Sequence, residues 1–267
     1  MEKFFLNIFK KFKTLTEKIR YFRYDKTYFE NEQNLIFQKV KLDRLKGLEK
    51  LKIVSDKFNN ENYGMNSEHL VLFSSISLKK KITNILEIGT FDGINSSYLS
   101  KFFTDAKIDT IDLDESDEKF NTMYNREINQ NRENNLKKRN QIIDSEKRIN
   151  FIKMNSLLLS KSFEKDKYDL IWIDGHHGNP FVTIDILNSL RLIKDEGIIL
   201  SDDILLDSSL NSYDPYESNA AFFALKELKQ SGLIDYQLIY KRLDKFYNSI
   251  PSKRKYIGII KKIKNSI

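Results

Sequence analysis

Ile85-Leu86-Glu87-Ile88-Gly89-Thr90-Phe91-Asp92-Gly93 is an apolar run of strand type entering a glycine-rich turn, and Asn95-Ser96-Ser97 behind it reads as a helix start. Glycines at such a turn let a ligand approach backbone that a Cβ would block. The spacing is Gly-x-x-x-Gly, with Glu87 two places before the first glycine. A dinucleotide fingerprint needs Gly-x-Gly-x-x-Gly and a P-loop needs Lys followed by Ser or Thr, so the turn is neither.

Working outward, apolar runs of strand length alternate with longer stretches of helical type. The pattern predicts strands at 82–88, 107–113, 149–154, 168–173 and 197–200, and helices at 96–104, 116–140 and 181–193. Near-continuous apolar strands alternating with helices imply an α/β fold with a parallel sheet covered on both faces. A helix over 218–230 and strands near 235–241 and 255–260 follow, joined by a loop with Pro251, which predicts an antiparallel edge. The Asn-rich, charged 116–148 segment reads as a solvated helix with a loose insertion.

Residues 1–63 read as an N-terminal helical extension and 64–267 as the α/β domain. In the first segment Phe5, Ile8, Phe9, Phe12, Leu15, Ile19 and Phe22 recur at three- and four-residue steps and line one helix face; the other face is lysine-rich. Such a helix packs on the body or on a second subunit, as in a homodimer, or lies in a membrane interface as a peripheral contact through residues 1–24. A second polar helical pattern runs from Tyr28 to about Asn59 and ends in the turn-like Asn59-Asn60-Glu61-Asn62.

The chain of 267 residues contains no cysteine, which excludes disulfides, thiolate metal sites, iron–sulfur clusters and cysteine nucleophiles, and fits a reducing, cytoplasmic setting. Its net charge of +7 is unevenly spread. Residues 1–23 hold seven cations against two acids and residues 245–267 hold seven cations and no acid, so the middle is net acidic. That distribution describes two basic ends rather than a nucleic-acid-binding body. No apolar stretch approaches the length of a membrane span, and the N-terminus lacks a secretory apolar region.

At the end of the second strand lies Ile111-Asp112-Leu113-Asp114. An acid placed there, about twenty residues past the glycine turn, is positioned to accept both hydroxyls of a ribose. In this order and spacing the chain resembles the class I S-adenosylmethionine-dependent methyltransferases over roughly residues 64–262. Leu86–Gly93 resembles their first motif, Ile111–Asp114 their second and Ile171–His177 their fourth. The resemblance implies a Rossmann-like doubly wound sheet, mostly parallel with an antiparallel C-terminal edge strand. It also implies S-adenosylmethionine as cofactor, held by Glu87, Gly89, Thr90, Phe91, Gly93, Asn95, Asp112, Leu113, Asn155, Ser156 and Asp174. Gly89 and Gly93 would line the methionine moiety, Asp112 would hold the ribose and Asn155 or Ser156 would face the adenine. The family's usual Gly-Asp after strand three is here Met154-Asn155.

The fourth and fifth strands are expected to end in Asp174 and in Asp202-Asp203, on one rim of a parallel sheet. Carboxylates converging there repel unless a cation lies among them, and oxygen-only ligation favours Mg²⁺. The arrangement resembles the Mg²⁺-dependent O-methyltransferases, most of all the macrocin-type sugar enzymes, with the metal-site spacing of the catechol type. By that resemblance Asp174, Asp202 and Asp203 bind metal; the other reading is that Asp174 touches cofactor while Asp202 and Asp203 cap a strand end. His177 matches the histidine of the family's Asp-Gly-x-His stretch, which makes Asp174 and His177 the catalytic candidates, cofactor packing being the rival role for the histidine. Trp172 reads as core, and His69 as capping or packing. The loop from Leu205 to Ser218, with Tyr213, Asp214, Pro215 and Tyr216, is placed to cover an acceptor.

The expected reaction is O-methylation of a hydroxylated small molecule or glycan, with a chelated vicinal diol suited to the metal. Two alternatives stand beside it. A nucleic-acid methyltransferase would use the basic ends, although Asp174-Gly175-His176-His177 replaces the Asn/Asp-Pro-Pro-aromatic stretch of familiar base-amino enzymes. A non-catalytic member would keep the fold and dock through its N-terminal helix on a membrane or a complex.

Overall fold

The computed structural model describes residues 16, 19, 21–56, 67–123, 128–207 and 209–263. In chain order the elements are α1 (Lys26–Lys39), α2 (Arg44–Asp56), α3 (Glu68–Ser77), β1 (Asn84–Ile88), α4 (Ile94–Phe102), β2 (Lys107–Asp112), α5 (Glu118–Thr122), α6 (Asn129–Ser145) and β3 (Ile149–Lys153). There follow α7 (Leu159–Ser162), β4 (Tyr168–Ile173), α8 (Phe181–Leu192), β5 (Ile193–Leu205), α9 (Ala220–Gln230), β6 (Ile234–Tyr240), α10 (Lys245–Asn248) and β7 (Lys255–Lys262).

The seven strands form one sheet in the order β3-β2-β1-β4-β5-β7-β6. β1 to β5 pair in parallel, and β7 is antiparallel to both of its neighbours. β6 therefore points the same way as β1 to β5, and its C-terminal end reaches the same rim as theirs. Strand order reverses between β1 and β4, the place where open α/β sheets bind ligands.

Each sheet face carries an apolar core. On one, Leu72, Phe73 and Ile76 of α3 and Leu99 of α4 pack on Ile85, Ile108, Leu170 and Trp172. On the other, Ile186 and Leu190 of α8 and Leu225 of α9 cover Leu86, Ile171, Ile199 and Ile260. Both faces of β1 and β4 are thus buried, which explains their unbroken apolar character.

Three expectations change. The polar helical pattern from Tyr28 divides into α1 and α2, because Lys41 takes a left-handed backbone (φ 63°) between them. The 116–140 helix is replaced by the short α5 and the later α6. β5 runs from Ile193 rather than Gly197 and continues through Asp202 and Asp203 to Leu205.

The extension is joined to the sheet edge. The Gln33 amide donates to the Tyr240 carbonyl at 3.0 Å and its oxygen accepts the Tyr240 N–H at 3.0 Å, so one side chain satisfies the backbone of the last residue of β6. Arg44 forms a buried two-bond pair with Glu68, both at 2.7 Å, and Phe37 and Leu42 belong to the α3-side core. Most of the basic aromatic stripe, and the turn at 59–62, lie outside the described residues. Its described members Ile19 and Phe22 are exposed, Phe22 at 79 %. Among the described residues no helix is long and apolar enough to cross a membrane.

Candidate active site

β1 ends in a turn that only unusual backbone can make. Gly89 has φ +101°, and a Cβ there would meet the Asp174 carbonyl oxygen at 2.2 Å. Phe91 and Gly93 also have positive φ, and the Gly93 carbonyl accepts the first helical N–H of α4, from Ser97, at 3.0 Å. The missing Cβ of Gly89 thus admits the end of β4 rather than a ligand. Gly93 departs further from the expectation: its Cα faces Arg139 and Ile142 of α6, away from the cavity.

Glu87 lies beneath this turn, fully buried and outside the cavity wall. It accepts from Asn95 Nδ2 at 2.7 Å, from Thr110 Oγ1 at 2.6 Å and from the Ser96 hydroxyl. Burial pushes its carboxyl up to about 7 although all three hydrogen bonds act the other way. Its place is structural: it ties the start of α4 to β1 and β2. Thr90 extends the tie, its hydroxyl 2.7 Å from that of Thr110.

Above the turn lies a cavity of about 1120 Å³, enough for a cofactor of nucleoside size and an acceptor beside it. Gly89, Thr90, Phe91, Asn95, Asp112 and Leu113 line one part of it, with Asn155 and Ser156 beyond. Asp112 is held by two backbone donors, Phe91 N–H at 3.0 Å and Leu113 N–H at 2.8 Å. Each carboxylate oxygen accepts one of them, and the residue lines the cavity. Asn155 caps the turn after β3 by accepting the Leu157 N–H at 3.0 Å. These residues fit a nucleoside with free ribose hydroxyls.

The other end of the cavity is the acid rim. Asp174 follows β4, and its N–H donates to the Ile88 carbonyl at 2.8 Å. Asp202 and Asp203 stand within β5, at an irregularity in its pairing with β7 between Ser201 and Ile204. Asp203 takes φ +54°, which turns consecutive carboxylates toward one place. His177 Nε2 lies 3.8 Å from Asp174 Oδ1 and 3.7 Å from Asp203 Oδ2.

The cation in this cluster is a side chain. Lys241, directly after β6, is 4 % exposed, and its Nζ contacts Asp202 Oδ2 at 2.5 Å and Asp203 Oδ1. Lys255, which opens β7, reaches Asp203 Oδ2 at 2.8 Å. A hard divalent cation takes carboxylate oxygens at about 2.0–2.6 Å, so Mg²⁺ between Asp202 and Asp203 and the Lys241 ammonium claim one position. Among the described residues no group of three or more acids or histidines is gathered to hold a metal. The three expected ligands lie at the rim, but Asp202 and Asp203 are partners of lysines and Asp174 faces His177, so they do not fit the metal.

Titration follows this arrangement. Burial favours neutral Lys241, yet Asp202, Asp203 and Asp174 outweigh it and hold the ammonium above its ordinary range. Burial would raise Asp203, but Lys241, His177 and Lys255 hold it well below the usual carboxylate range. Asp174 moves the other way, raised by its enclosed position and by the Asp202 charge. Burial lowers His177 despite Asp203 and Asp202, which favours the neutral ring that accepts a proton.

Several site residues escape a reading of the sequence alone. His69 lines the cavity as well as packing on Trp172, and burial brings it down to about 4. Lys241 and Lys255 give no local signal, because their meeting with β5 depends on the strand order. Gly178 does carry one: a Cβ there would meet the Tyr213 and Asp214 carbonyl oxygens at 2.7 Å. The loop after β5 is thereby laid on the His177–Asn179 segment, with the Asn179 N–H donating to Ser212 O at 2.7 Å. Pro215 and Tyr216 of that loop face the cavity, whereas Tyr213 is 71 % exposed.

Comparison with known proteins bears on the fold. Residues 86–204 match the family model described as a methyltransferase domain. The chain matches no curated protein sequence. It is similar in structure to an O-methyltransferase from Bacillus cereus in complex with S-adenosylhomocysteine, at TM-score 0.54 and 14 % identity, covering 90 % of this chain and 100 % of that one. It is also similar to the O-methyltransferase TomG from Streptomyces achromogenes in complex with S-adenosylmethionine, at TM-score 0.52 and 13 % identity, covering 86 % and 95 %. The methyltransferase PaMTH1 of Podospora anserina, bound to S-adenosylhomocysteine, aligns at TM-score 0.50 and 16 % identity over 81 % and 87 %. Residues 86–204 are thus similar to a methyltransferase domain, and the chain has the Rossmann-like fold of these methyltransferase structures.

Proposed function

We propose that the chain is an S-adenosylmethionine-dependent O-methyltransferase acting on a hydroxyl of a small molecule or glycan. The observation that carries this reading is one cavity with two unlike ends: the doubly anchored Asp112 at one, and the buried His177 among acids and lysines at the other.

When bound, S-adenosylmethionine supplies a sulfonium methyl group. Asp112 would accept the ribose hydroxyls, and Gly89 to Asp92, which line the cavity, would border the cofactor. Positioning supplies most of the rate in a transfer of this kind. His177 Nε2 would take the proton of the acceptor hydroxyl, whose oxygen would bond to the methyl carbon while the carbon–sulfur electron pair stayed on sulfur. Asp203 steadies the imidazolium that forms. Pro215 and Tyr216 border the acceptor end of the cavity.

Calorimetric titration with S-adenosylhomocysteine tests the cofactor half. Micromolar binding is expected, and no binding refutes the reading. Transfer of label from S-adenosylmethionine to a panel of sugars and phenols, with RNA in parallel, tests the acceptor half. Labelling of RNA alone refutes the acceptor class.

A further inference from the structure

The acid rim is arranged for a cation, and the chain supplies that cation itself. Lys241 Nζ donates to Asp202 Oδ2 and Asp203 Oδ1, spanning the two carboxylates as a divalent ion would. It is fixed from behind. Its N–H donates to the Lys255 carbonyl at 2.9 Å and its own carbonyl accepts the Glu68 N–H at 2.8 Å. Glu68 is in turn clamped by Arg44, and the neighbouring Tyr240 by Gln33. The N-terminal helices are thereby tied to the backbone that carries this ammonium. Asp202 Oδ1 is buried without a hydrogen-bond partner, so Lys241 is the group that compensates the Asp202 charge.

From this geometry we infer that Lys241 takes the place of a divalent metal, so that the methyl transfer proposed above runs without one. Two of the three ammonium N–H groups are used on Asp202 and Asp203, and Lys241 borders the cavity. The third N–H is left to hold the acceptor oxygen, whose proton His177, with Nε2 3.7 Å from Asp203 Oδ2, removes. This role rests on the proposed activity; exclusion of metal from the rim does not, and it can be read on the protein alone.

The test is titration of the full chain with Mn²⁺ followed by electron paramagnetic resonance, with label transfer measured in excess chelator and in millimolar Mg²⁺. For the wild type we expect no Mn²⁺ uptake below millimolar concentration and turnover that changes less than twofold between chelator and Mg²⁺. Lys241→Met exposes Asp202 and Asp203 to an incoming ion, so Mn²⁺ affinity should rise at least tenfold while turnover falls at least 100-fold. The double change of Lys241→Met with Asp202→Asn removes charge of both signs and should lose the gained affinity, which separates an ion site from general loosening. Stoichiometric micromolar Mn²⁺ binding by the wild type, or turnover abolished by chelator and restored by Mg²⁺, overturns the inference. Those wild-type measurements hold even where a variant does not fold. Failure of S-adenosylhomocysteine to bind would defeat the proposed activity and leave the Mn²⁺ result standing.

Discussion

Asp185 is a carboxyl whose ionisation the core resists, and replacing it by asparagine should change how stability depends on pH. It lies on α8, 1 % exposed, with Oδ1 lacking a hydrogen-bond partner and Oδ2 packed toward Gly175. Burial pushes it from 3.8 to about 7, with the Ser156 hydroxyl only partly opposing. A carboxyl raised on folding contributes stability that is present below its unfolded pKa and is lost as pH rises through the folded one. At 1.36 kcal/mol per unit the full cost is on the order of 4 kcal/mol, reached above pH 7. At pH 5 on the order of 1.5 kcal/mol is already lost, leaving roughly 2.5 kcal/mol to be lost between pH 5 and pH 8. Asparagine cannot ionise. Its amide finds no new partner and costs about 1–3 kcal/mol at every pH, so the pH dependence, not the absolute stability, carries the result. Urea unfolding followed by fluorescence of the single, fully buried Trp172 measures it. The variant should gain about 2.5 kcal/mol on the wild type between pH 5 and pH 8. A difference under about 0.5 kcal/mol, or one of opposite sign, would refute the argument that this carboxyl is held neutral.

Further outcomes follow from the same geometry. Asp112→Ala removes a charged acceptor worth roughly 1.5–3 kcal/mol, so calorimetry should show S-adenosylhomocysteine binding about 10- to 150-fold weaker; unchanged affinity would take Asp112 away from the ribose. His177→Gln should lower turnover by about 10²–10⁴ and leave cofactor affinity within about threefold. Because burial lowers the His177 pKa and the neutral ring is the base, wild-type turnover should fall with acidity at a midpoint below 6.5; a midpoint above that value would argue for another base. Gly89→Ala sets a Cβ against the Asp174 carbonyl at positive φ, costing roughly 2–5 kcal/mol, and should abolish cofactor binding. A variant that melts and binds like the wild type would contradict the packing described.

The sequence by itself determined the sheet and its sense. Strand-length apolar runs separated by helical segments leave few alternatives to a parallel sheet buried on both faces, because each βαβ unit closes with one hand. It also placed Asp112 and Asp174 near one rim, since both follow parallel strands and so emerge on the same side. What it missed has a common cause: local pattern does not report which strand lies beside which. The 193–205 segment reads as a short strand because Lys194, Asp195 and Glu196 break its apolar run, yet pairing with β4 and β7 extends it. That extension puts Asp202 and Asp203 inside a strand, at an irregularity that turns them together. Lys241 sits in a basic stretch that looks solvated, and only the insertion of β7 between β5 and β6 brings its ammonium to those acids. Three acids and no visible counter-charge imply a metal when read along the chain. In the folded molecule the counter-charge is a lysine 39 residues from Asp202, because burying carboxylates requires a cation close by and the sheet order decided which one.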